Sequence, residues 1–332
     1  MSLPVLRLAR AAVLALPTIA LAPAAAQTRT AFPAERGVRL NAFPRLIQLA
    51  RNVFGYEEIR APGFTTVSLI VVGANGVLVA DGQGSPQATR TMLERIRTVT
   101  DKPVRWYVVG SDHGDHTAGN SELPDGVEFV VHATSRAQLQ RDSIAAAEAN
   151  GKASADAAAR QQVAPAPRVV VVPPVSMTSD RQRIDLGGME VEVRFLGRAH
   201  TGGDLSVYLP REKILFMSEA YLNRVFPAMR SAYPSEWVRT LNAALAMEVS
   251  RYVPGHGFIE AAAASREELV VYRDALEHVI AEASRLHALG LSPEAAIAQA
   301  NWGPYKDWFL ADQQAAIAVR RVYDELEGRL PR

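Results

Sequence analysis

Short apolar runs that each end in a histidine-bearing loop constrain the fold of this 332-residue chain most strongly. One run, residues 103–110 (PVRWYVVG), is followed by the residues SDHGDH, and later histidines lie in the segments GRAHTGGD and VPGHG. Apolar runs of this length that are bounded by turn residues predict buried strands. Because α/β sheets usually present reactive groups where strands end in glycine-containing loops, the pattern predicts an α/β fold with its functional residues at strand ends.

The first half of the chain alternates strand and helix patterns, as a layered α/β fold does. Residues 67–82 predict two strands that are joined by a turn at Asn75-Gly76. Residues 86–99 carry apolar side chains at helical spacing. The alanine-rich segment 134–162 predicts a second helix, with a break at Asn150-Gly151.

Strand patterns and then helix patterns recur in the second half, which suits two similar halves packed together. Residues 182–219 contain four short strand patterns that are separated by turn residues. The last third predicts helices, one of which begins at Ser292-Pro293. One of these helices carries an apolar stripe formed by Leu269, Tyr272, Leu276, Ile280, Ala283 and Leu286.

The first 26 residues have the order of a secretory signal peptide. Arg7 and Arg10 precede an apolar stretch, and small residues lead up to Ala26. This stretch is shorter than the roughly 20 residues that a membrane-spanning helix needs, and Pro17 interrupts it. We expect cleavage after Ala26 and a periplasmic or secreted bacterial protein, with an uncleaved membrane anchor as the alternative.

The remaining residues, 27–332, predict a single domain that is helical from about residue 262 and has no integral membrane segment. The formal net charge is +1, so no basic field indicates nucleic-acid binding, and we expect a small-molecule substrate. The chain has no cysteine, which excludes disulfides, thiolate metal ligands and thiol nucleophiles. The oligomeric state leaves no signal in the sequence.

Metal-ligand side chains are concentrated in the three histidine loops. The first loop places three of them within four positions, and Gly114 allows the backbone to curl around a common point. Solvated loop histidines would explain one such loop, but three loops and a strand-end acid favour a metal site. Imidazole and carboxylate ligands together suit zinc, with iron or manganese as alternatives. The candidate ligands are His113, Asp115, His116, His200, Glu219 and His256.

These segments resemble the metallo-β-lactamase superfamily, in which the motif H-x-H-x-D-H follows a strand. The resemblance extends from the strand end at Asp81 to the loop at His256, with the later matches in the same order and spacing. It implies a four-layer αββα sandwich with additional C-terminal helices, as in the glyoxalase II-like metal-dependent hydrolases.

The resemblance also implies a role for each candidate ligand. It assigns two histidines, His113 and His200, to a first metal position, and Glu219 stands where the family usually has a bridging aspartate. Asp81 matches an acid that supports the site from behind. The second metal position is assigned to Asp115, His116 and His256.

Ser111 departs from the family motif, because it stands where the first histidine is expected. A hydroxyl group is a poor zinc ligand beside imidazole, so the first position keeps two of its three histidines. Either a single metal occupies the second position, which we favour, or two metals bind and the first is weakly held. Glu219 is one methylene longer than aspartate and can reach further toward the first position. Asp112 occupies a place that is normally not a ligand.

A metal-dependent hydrolase is the function that these residues predict. A bound Zn²⁺ ion lowers the pKa of its water from about 15.7 to about 7. The resulting hydroxide would attack an ester, thioester, lactone or amide-like bond. We expect Asp115 to act as the catalytic residue that orients the hydroxide and takes a proton. Tyr221 and Arg224 follow Glu219 closely and are candidates to support the ligands or line the pocket.

Three other functions remain open. A β-lactamase is disfavoured because such enzymes lack the bridging acid represented by Glu219, and several use a cysteine. A metal- or ligand-binding periplasmic accessory protein with reduced catalysis is suggested by the histidine lost at Ser111. An iron-dependent oxygen-reducing or sulfur-oxidising member of the superfamily is disfavoured by the same residue.

The other polar candidates have ordinary structural explanations. His132, His278 and His287 lack acidic or glycine neighbours at a strand end, and we assign them no role in the site. The segment from Gly55 to Gly63 (GYEEIRAPG) is either a loop that covers the substrate or a polar hairpin connection.

Overall fold

The computed structural model describes residues 28–331, which form two β-sheets flanked by helices. The predicted signal peptide, residues 1–26, lies outside the described residues and stays a prediction. Within residues 28–331, every helix is too short or too polar to cross a lipid bilayer.

The first sheet has six strands, which are hydrogen-bonded in chain order. They are β1 (Arg45–Ala50), β2 (Val53–Arg60), β3 (Phe64–Val72), β4 (Val77–Ala80), β5 (Val104–Val108) and β6 (Glu128–Val130). Neighbouring strands are antiparallel from β1 to β4 and parallel from β4 to β6. The turn at Asn75-Gly76 joins β3 to β4, as predicted.

The second sheet has five strands, in the order β11-β10-β9-β8-β7. They are β7 (Arg181–Asp185), β8 (Glu190–Phe195), β9 (Leu205–Leu209), β10 (Ile214–Phe216) and β11 (Arg251–Val253). The first four are antiparallel neighbours, whereas β11 joins β10 in parallel. Each sheet therefore contains a parallel pair whose carboxyl ends lie side by side.

Seven α-helices connect and cover the described strands. They are α1 (Pro86–Arg97), α2 (Gly114–Thr117), α3 (Ala133–Ala159), α4 (Pro234–Leu245), α5 (Ala262–Ala288), α6 (Pro293–Gln299) and α7 (Ala311–Leu326). Short 3₁₀ turns are formed by Leu40–Ala42, Asn120–Glu122, Ser218–Ala220 and Gly303–Tyr305. The predicted start of α6 is confirmed, because the Ser292 hydroxyl accepts a hydrogen bond from the Ala295 amide.

Three buried apolar clusters define the layers. Leu69 of the first sheet and Val207 of the second belong to the cluster between the two sheets. Because side chains alternate along a strand, Ile70 faces the other way and shares a cluster with Met92 of α1. Leu215 of the second sheet shares the third cluster with residues of α4, α5 and α7. The predicted αββα sandwich with C-terminal helices is confirmed.

The predicted break in the alanine-rich helix is wrong, because α3 continues through Asn150-Gly151. One glycine costs a helix about 1 kcal/mol relative to alanine, and the many flanking alanines offset that cost. The Asn150 side chain also leaves the helix backbone undisturbed. It accepts a hydrogen bond from the Arg168 amide and donates one to the Arg168 carbonyl.

Most of the segment from Gly55 to Gly63 belongs to β2, so the predicted hairpin connection is confined to residues 61–63. Its polar pattern suggested exposure, yet Glu57 is fully buried. Arg45 on the neighbouring strand forms an ion pair with Glu57, and this pairing allows a carboxylate inside the strand. The short connection at residues 61–63 joins β2 to β3.

Replacing Leu69 by alanine should lower the free energy of unfolding by about 2–5 kcal/mol, because Leu69 is fully buried between the sheets. Urea denaturation followed by circular dichroism measures the change. Leu40→Ala is the matched control, since Leu40 is 63% exposed. Equal effects of the two substitutions would contradict the assignment of Leu69 to the inter-sheet core.

Candidate metal centre

Six side chains from four loops converge at the edge where the carboxyl ends of β5, β10 and β11 meet. Asp115, His116, Glu219 and His256 each place one ligand atom within 4.8 Å of the others. His113 and His200 form a second such group, which shares Glu219 with the first. The structure therefore brings together all six ligands that were predicted from the sequence, in two groups.

The group around His256 is the more crowded. The Nε2 atom of His256 lies 3.2 Å from Nε2 of His116. The same atom lies 3.0 Å from Oδ2 of Asp115 and 3.1 Å from Oε1 of Glu219. Two imidazole nitrogens and two carboxylate oxygens thus face one another with no room for a further side chain between them.

The group around His113 contains fewer ligands. The Nδ1 atom of His113 lies 2.9 Å from Nε2 of His200 and 3.0 Å from Oε2 of Glu219. The hydroxyl of Ser111 donates a hydrogen bond of 2.6 Å to the same Glu219 oxygen. Ser111 therefore holds the carboxylate in the place of the histidine that the motif lacks, so that Glu219 contributes an oxygen to each group.

Further contacts fix how the imidazole rings point. The Nδ1 atom of His116 lies 3.0 Å from Oδ2 of Asp81. The Nδ1 atom of His256 lies 2.8 Å from the Thr65 carbonyl oxygen, which can only accept, so this nitrogen carries the proton. Both rings consequently turn Nε2 toward the group, an arrangement that is usual for metal-binding histidines.

Local backbone geometry lets the loops approach closely. His113 precedes the short helix α2, so its first turn carries Asp115 and His116 on adjacent positions. Gly255 packs against the turn that carries Glu219, since a Cβ atom at Gly255 would lie 2.4 Å from the Ser218 carbonyl carbon. A larger residue at position 255 would push the His256 loop away from Glu219.

The electrostatics of the groups favour positive charge. Burial alone would lower the pKa of His256, but hydrogen bonds to Asp115 and Glu219 raise it to about 9. Burial would likewise lower the pKa of His113, yet the Glu219 carboxylate raises it to about 9. Burial opposes the charged form of Glu219, and the His200 and His113 rings nevertheless hold its pKa well below the usual range.

A divalent cation fits this arrangement. Two facing imidazole nitrogens at 2.9 or 3.2 Å need a proton or a cation between them, because their lone pairs repel each other otherwise. Imidazole and carboxylate donors are also the set that zinc, iron and manganese accept. Cation binding would displace the protons that the raised pKa values hold on these rings.

A cavity of about 250 Å³ opens onto both groups. Arg60 lines it and forms an ion pair with Asp115, and Phe64 packs its edge against the His256 ring at 4.9 Å. Sequence reasoning missed both residues, since neither belongs to a recognisable ligand pattern. Asp204 was also missed, although it belongs to the quoted segment GRAHTGGD; its carboxylate accepts hydrogen bonds from Thr201.

The two pocket candidates lie elsewhere. Tyr221 is buried behind the site, where its ring packs on Tyr272 at 5.7 Å. Arg224 forms an ion pair with Glu268 of α5. Neither residue lines the cavity, so the prediction that they line the pocket is wrong. The 3₁₀ turn after β10 directs Glu219 into the site, whereas the side chains of Tyr221 and Arg224 pack toward α5.

The histidines without an assigned role lie outside both groups. His132 stacks on Phe195 with 4.2 Å between ring centroids. His278 lies near the Asn301 carbonyl, and His287 packs on Tyr323.

Comparison with known proteins gives one family and several distant relatives. The family model described as Metallo-beta-lactamase superfamily matches residues 60–256. The chain is 23% identical to 2,4-dinitroanisole O-demethylase subunit alpha of Nocardioides sp. (strain JS1661), over 57% of this chain and 52% of the relative. It is 21% identical to Metallo-beta-lactamase type 2 of Bacillus cereus, over 63% of this chain and 75% of the relative.

Solved structures share the fold at low identity. The stereoselective inverting sec-alkylsulfatase Pisa1 from Pseudomonas sp. superposes with a TM-score of 0.63 and 17% identity, over 87% of this chain and 51% of that one. A metallo-beta-lactamase from Pontibacter korlensis superposes with a TM-score of 0.56 and 20% identity, over 70% of this chain and 98% of that one. The chain thus spans about half the length of the O-demethylase subunit and the alkylsulfatase.

Asp81→Asn should lower the affinity of the His116 group for a divalent metal about 10- to 100-fold. Asparagine tolerates the positive φ of Asp81 and keeps an acceptor for the Gly110 amide, but its amide group would repel the protonated Nδ1 of His116. Competition with a chromophoric chelator measures the affinity. Asp101→Asn, at an exposed position, is the control, and equal affinities of the two variants would refute the support role of Asp81.

Proposed function

The chain belongs to the metallo-beta-lactamase superfamily, and from this premise we propose that it is a metal-dependent hydrolase of an ester, thioester, lactone or amide-like bond. The convergence of imidazole and carboxylate ligand atoms within 4.8 Å of one another, at the wall of a cavity, is the observation that carries the proposal. Histidines that only stabilised the fold would not need to line a cavity that a substrate can enter.

Two positions would hold metal ions. Asp115, His116 and His256 would hold the second, and His113 with His200 the first, while Glu219 reaches both. Zinc is the metal that we propose, with iron and manganese as alternatives. A divalent cation supplies Lewis acidity there and lowers the pKa of water enough to provide a nucleophile near neutral pH.

Asp115 is the residue that we propose to orient the attacking water and accept its proton. Its side chain is 15% exposed, whereas those of Glu219 and Asp81 are 4% and 0% exposed, so Asp115 is the carboxylate that a substrate and water can reach. Arg60 pairs with one oxygen of Asp115 and holds the carboxylate at the cavity wall.

The relatives differ in what their names say they act on, so the substrate panel must be broad. They include an O-demethylase subunit, a sec-alkylsulfatase and metallo-beta-lactamases. The panel should therefore contain an aryl ester, a thioester, a lactone and a β-lactam, together with an alkyl sulfate and a nitroaryl methyl ether.

The protein purified without chelator should contain divalent metal and hydrolyse at least one ester, thioester, lactone or amide-like substrate of this panel. Removal of the metal should abolish turnover, and His256→Ala should lower kcat/KM at least about 100-fold, because His256 contacts both Asp115 and Glu219. His278→Ala, outside the ligand groups, should leave turnover unchanged. Elemental analysis and steady-state kinetics provide the readouts.

Other outcomes would select the competing functions. Protein without metal and without turnover would favour an accessory role. Turnover confined to the β-lactam would identify a β-lactamase, and turnover confined to the sulfate or the ether would overturn the proposed bond class.

The two positions should bind metal with unequal affinity, because the first has two imidazoles and a shared carboxylate while the second has two imidazoles and two carboxylates. Zinc titration of the metal-free protein should therefore show a tight and a weak step. His113→Ala should remove the weak step, whereas His116→Ala should remove the tight one. If both variants lost the same step, the two groups would form one shared site.

A further inference from the structure

A second and larger cavity adjoins the metal centre. Its volume is about 890 Å³, against about 250 Å³ for the cavity that opens onto the ligands. His113 and Arg230 line both cavities, so the two spaces share one wall. A ligand longer than the small cavity would extend past this wall into the large one.

The large cavity carries an excess of positive charge. Four arginines line it, against two aspartates, Asp112 and Asp142. Within residues 28–331 none of the four lies within 4.0 Å of a carboxylate oxygen, although many other arginines of the protein form ion pairs. The four are Arg141, Arg168, Arg230 and Arg321.

The nearest partners of these guanidinium groups are neutral. Arg141 donates to the Gln138 side chain, and Arg321 donates to the Ala232 carbonyl. Within the described residues, neither aspartate forms an ion pair with these arginines, and Asp142 instead accepts a hydrogen bond from Gln138. Guanidinium groups that line one cavity without carboxylate partners offer a site for a carboxylate, sulfonate or sulfate group, which a guanidinium binds through two parallel hydrogen bonds.

Two of the arginines lie beside the metal-ligand loop. The Arg168 guanidinium comes within 3.8 Å of the point that a Cβ atom would occupy at Gly114, between His113 and Asp115. Arg230 precedes Ser231, whose hydroxyl lies 3.3 Å from Nε2 of His113. An anion held by these groups is therefore next to the site where the bond would be cleaved.

The small cavity offers a complementary apolar wall. Phe64, Leu222, Val225, Leu310 and Ile317 line it on the side of the ligands. An apolar group would be buried against this wall, whereas an anionic group would be favoured beside the arginines of the large cavity.

We propose that the substrate is an organic anion whose charged group is remote from the bond cleaved and is bound by Arg168 and Arg230 in the large cavity. This inference rests on the proposed hydrolase function. Hydrolysis of such an ester adds water across the acyl–oxygen bond, gives an acid and an alcohol, and leaves the charged group unchanged.

A matched pair of esters tests the proposal. The substrates are 4-acetoxybenzoate, which is anionic, and 4-acetoxybenzamide, which is neutral and nearly the same size. We expect the metal-loaded protein to prefer the anion in kcat/KM by at least about 10-fold, mainly through KM, and the preference to shrink as the ionic strength rises.

Arg168→Gln and Arg230→Gln should each reduce this preference at least about 3-fold, because kcat/KM for the anionic ester should fall more than kcat/KM for the neutral ester. Arg97→Gln, at an exposed position of α1 outside both cavities, is the control and should keep the preference. Equal kcat/KM values for the two esters, or a preference that survives both substitutions, would overturn the proposal and leave the hydrolase function standing.

Equilibrium binding separates the two proposals. Calorimetric titration with 4-hydroxybenzoate should show binding that Arg168→Gln and Arg230→Gln weaken, whereas 4-hydroxybenzamide should bind more weakly to the unsubstituted protein. If neither these esters nor any ester, thioester, lactone or amide-like substrate of the broad panel were hydrolysed but this arginine-dependent binding were present, the proposed function would fail and the anion site would stand. Absence of arginine-dependent binding would refute the anion site, whatever the turnover.

Discussion

The meeting of three carboxylates with buried imidazole rings is the interaction on which the site depends. Asp81, Asp115 and Glu219 come from three different loops, and each lies about one hydrogen-bond length from a histidine nitrogen. A buried carboxylate group destabilises the folded protein unless a positive charge lies beside it. Protonated imidazole rings supply part of this positive charge. A divalent cation would also supply it, and the neutral rings would then direct their nitrogen lone pairs at the cation.

The placement of the ligands was predictable because strand ends are visible in a sequence. Apolar runs followed by glycine-containing loops locate His113, His200 and His256 from the sequence alone. Arg60 was not predictable in this way, since its ion pair with Asp115 depends on how β2 and β3 are aligned within the sheet. The helix break at Asn150-Gly151 failed for a related reason: local propensity says nothing of the side-chain contacts to Arg168.

Ser111 and Glu219 are best understood as a pair of compensating changes. Ser111 removes an imidazole from the first position, but its hydroxyl anchors one oxygen of Glu219 beside His113. The other oxygen of Glu219 remains 3.1 Å from His256 and 3.2 Å from His200. One oxygen of Glu219 thus faces each group, so the first position lacks one neutral ligand and keeps a share of a charged one. This change favours a site whose two positions differ in strength.

The fold determines where the metal-ligand side chains lie, whereas the side chains that line the two cavities would determine which substrate binds. The ligands lie at strand ends, while the arginines of the large cavity come from α3, from the segment after it, from the loop before α4 and from α7. Relatives at about one-fifth identity share the fold and differ in their named activities. The arginines would attract an anion from a distance, because electrostatic attraction between exposed charges extends about 8–10 Å at moderate salt. An anionic molecule would therefore be oriented by the arginines before any of its atoms reached the metal centre, and selection among substrates would precede the chemical step.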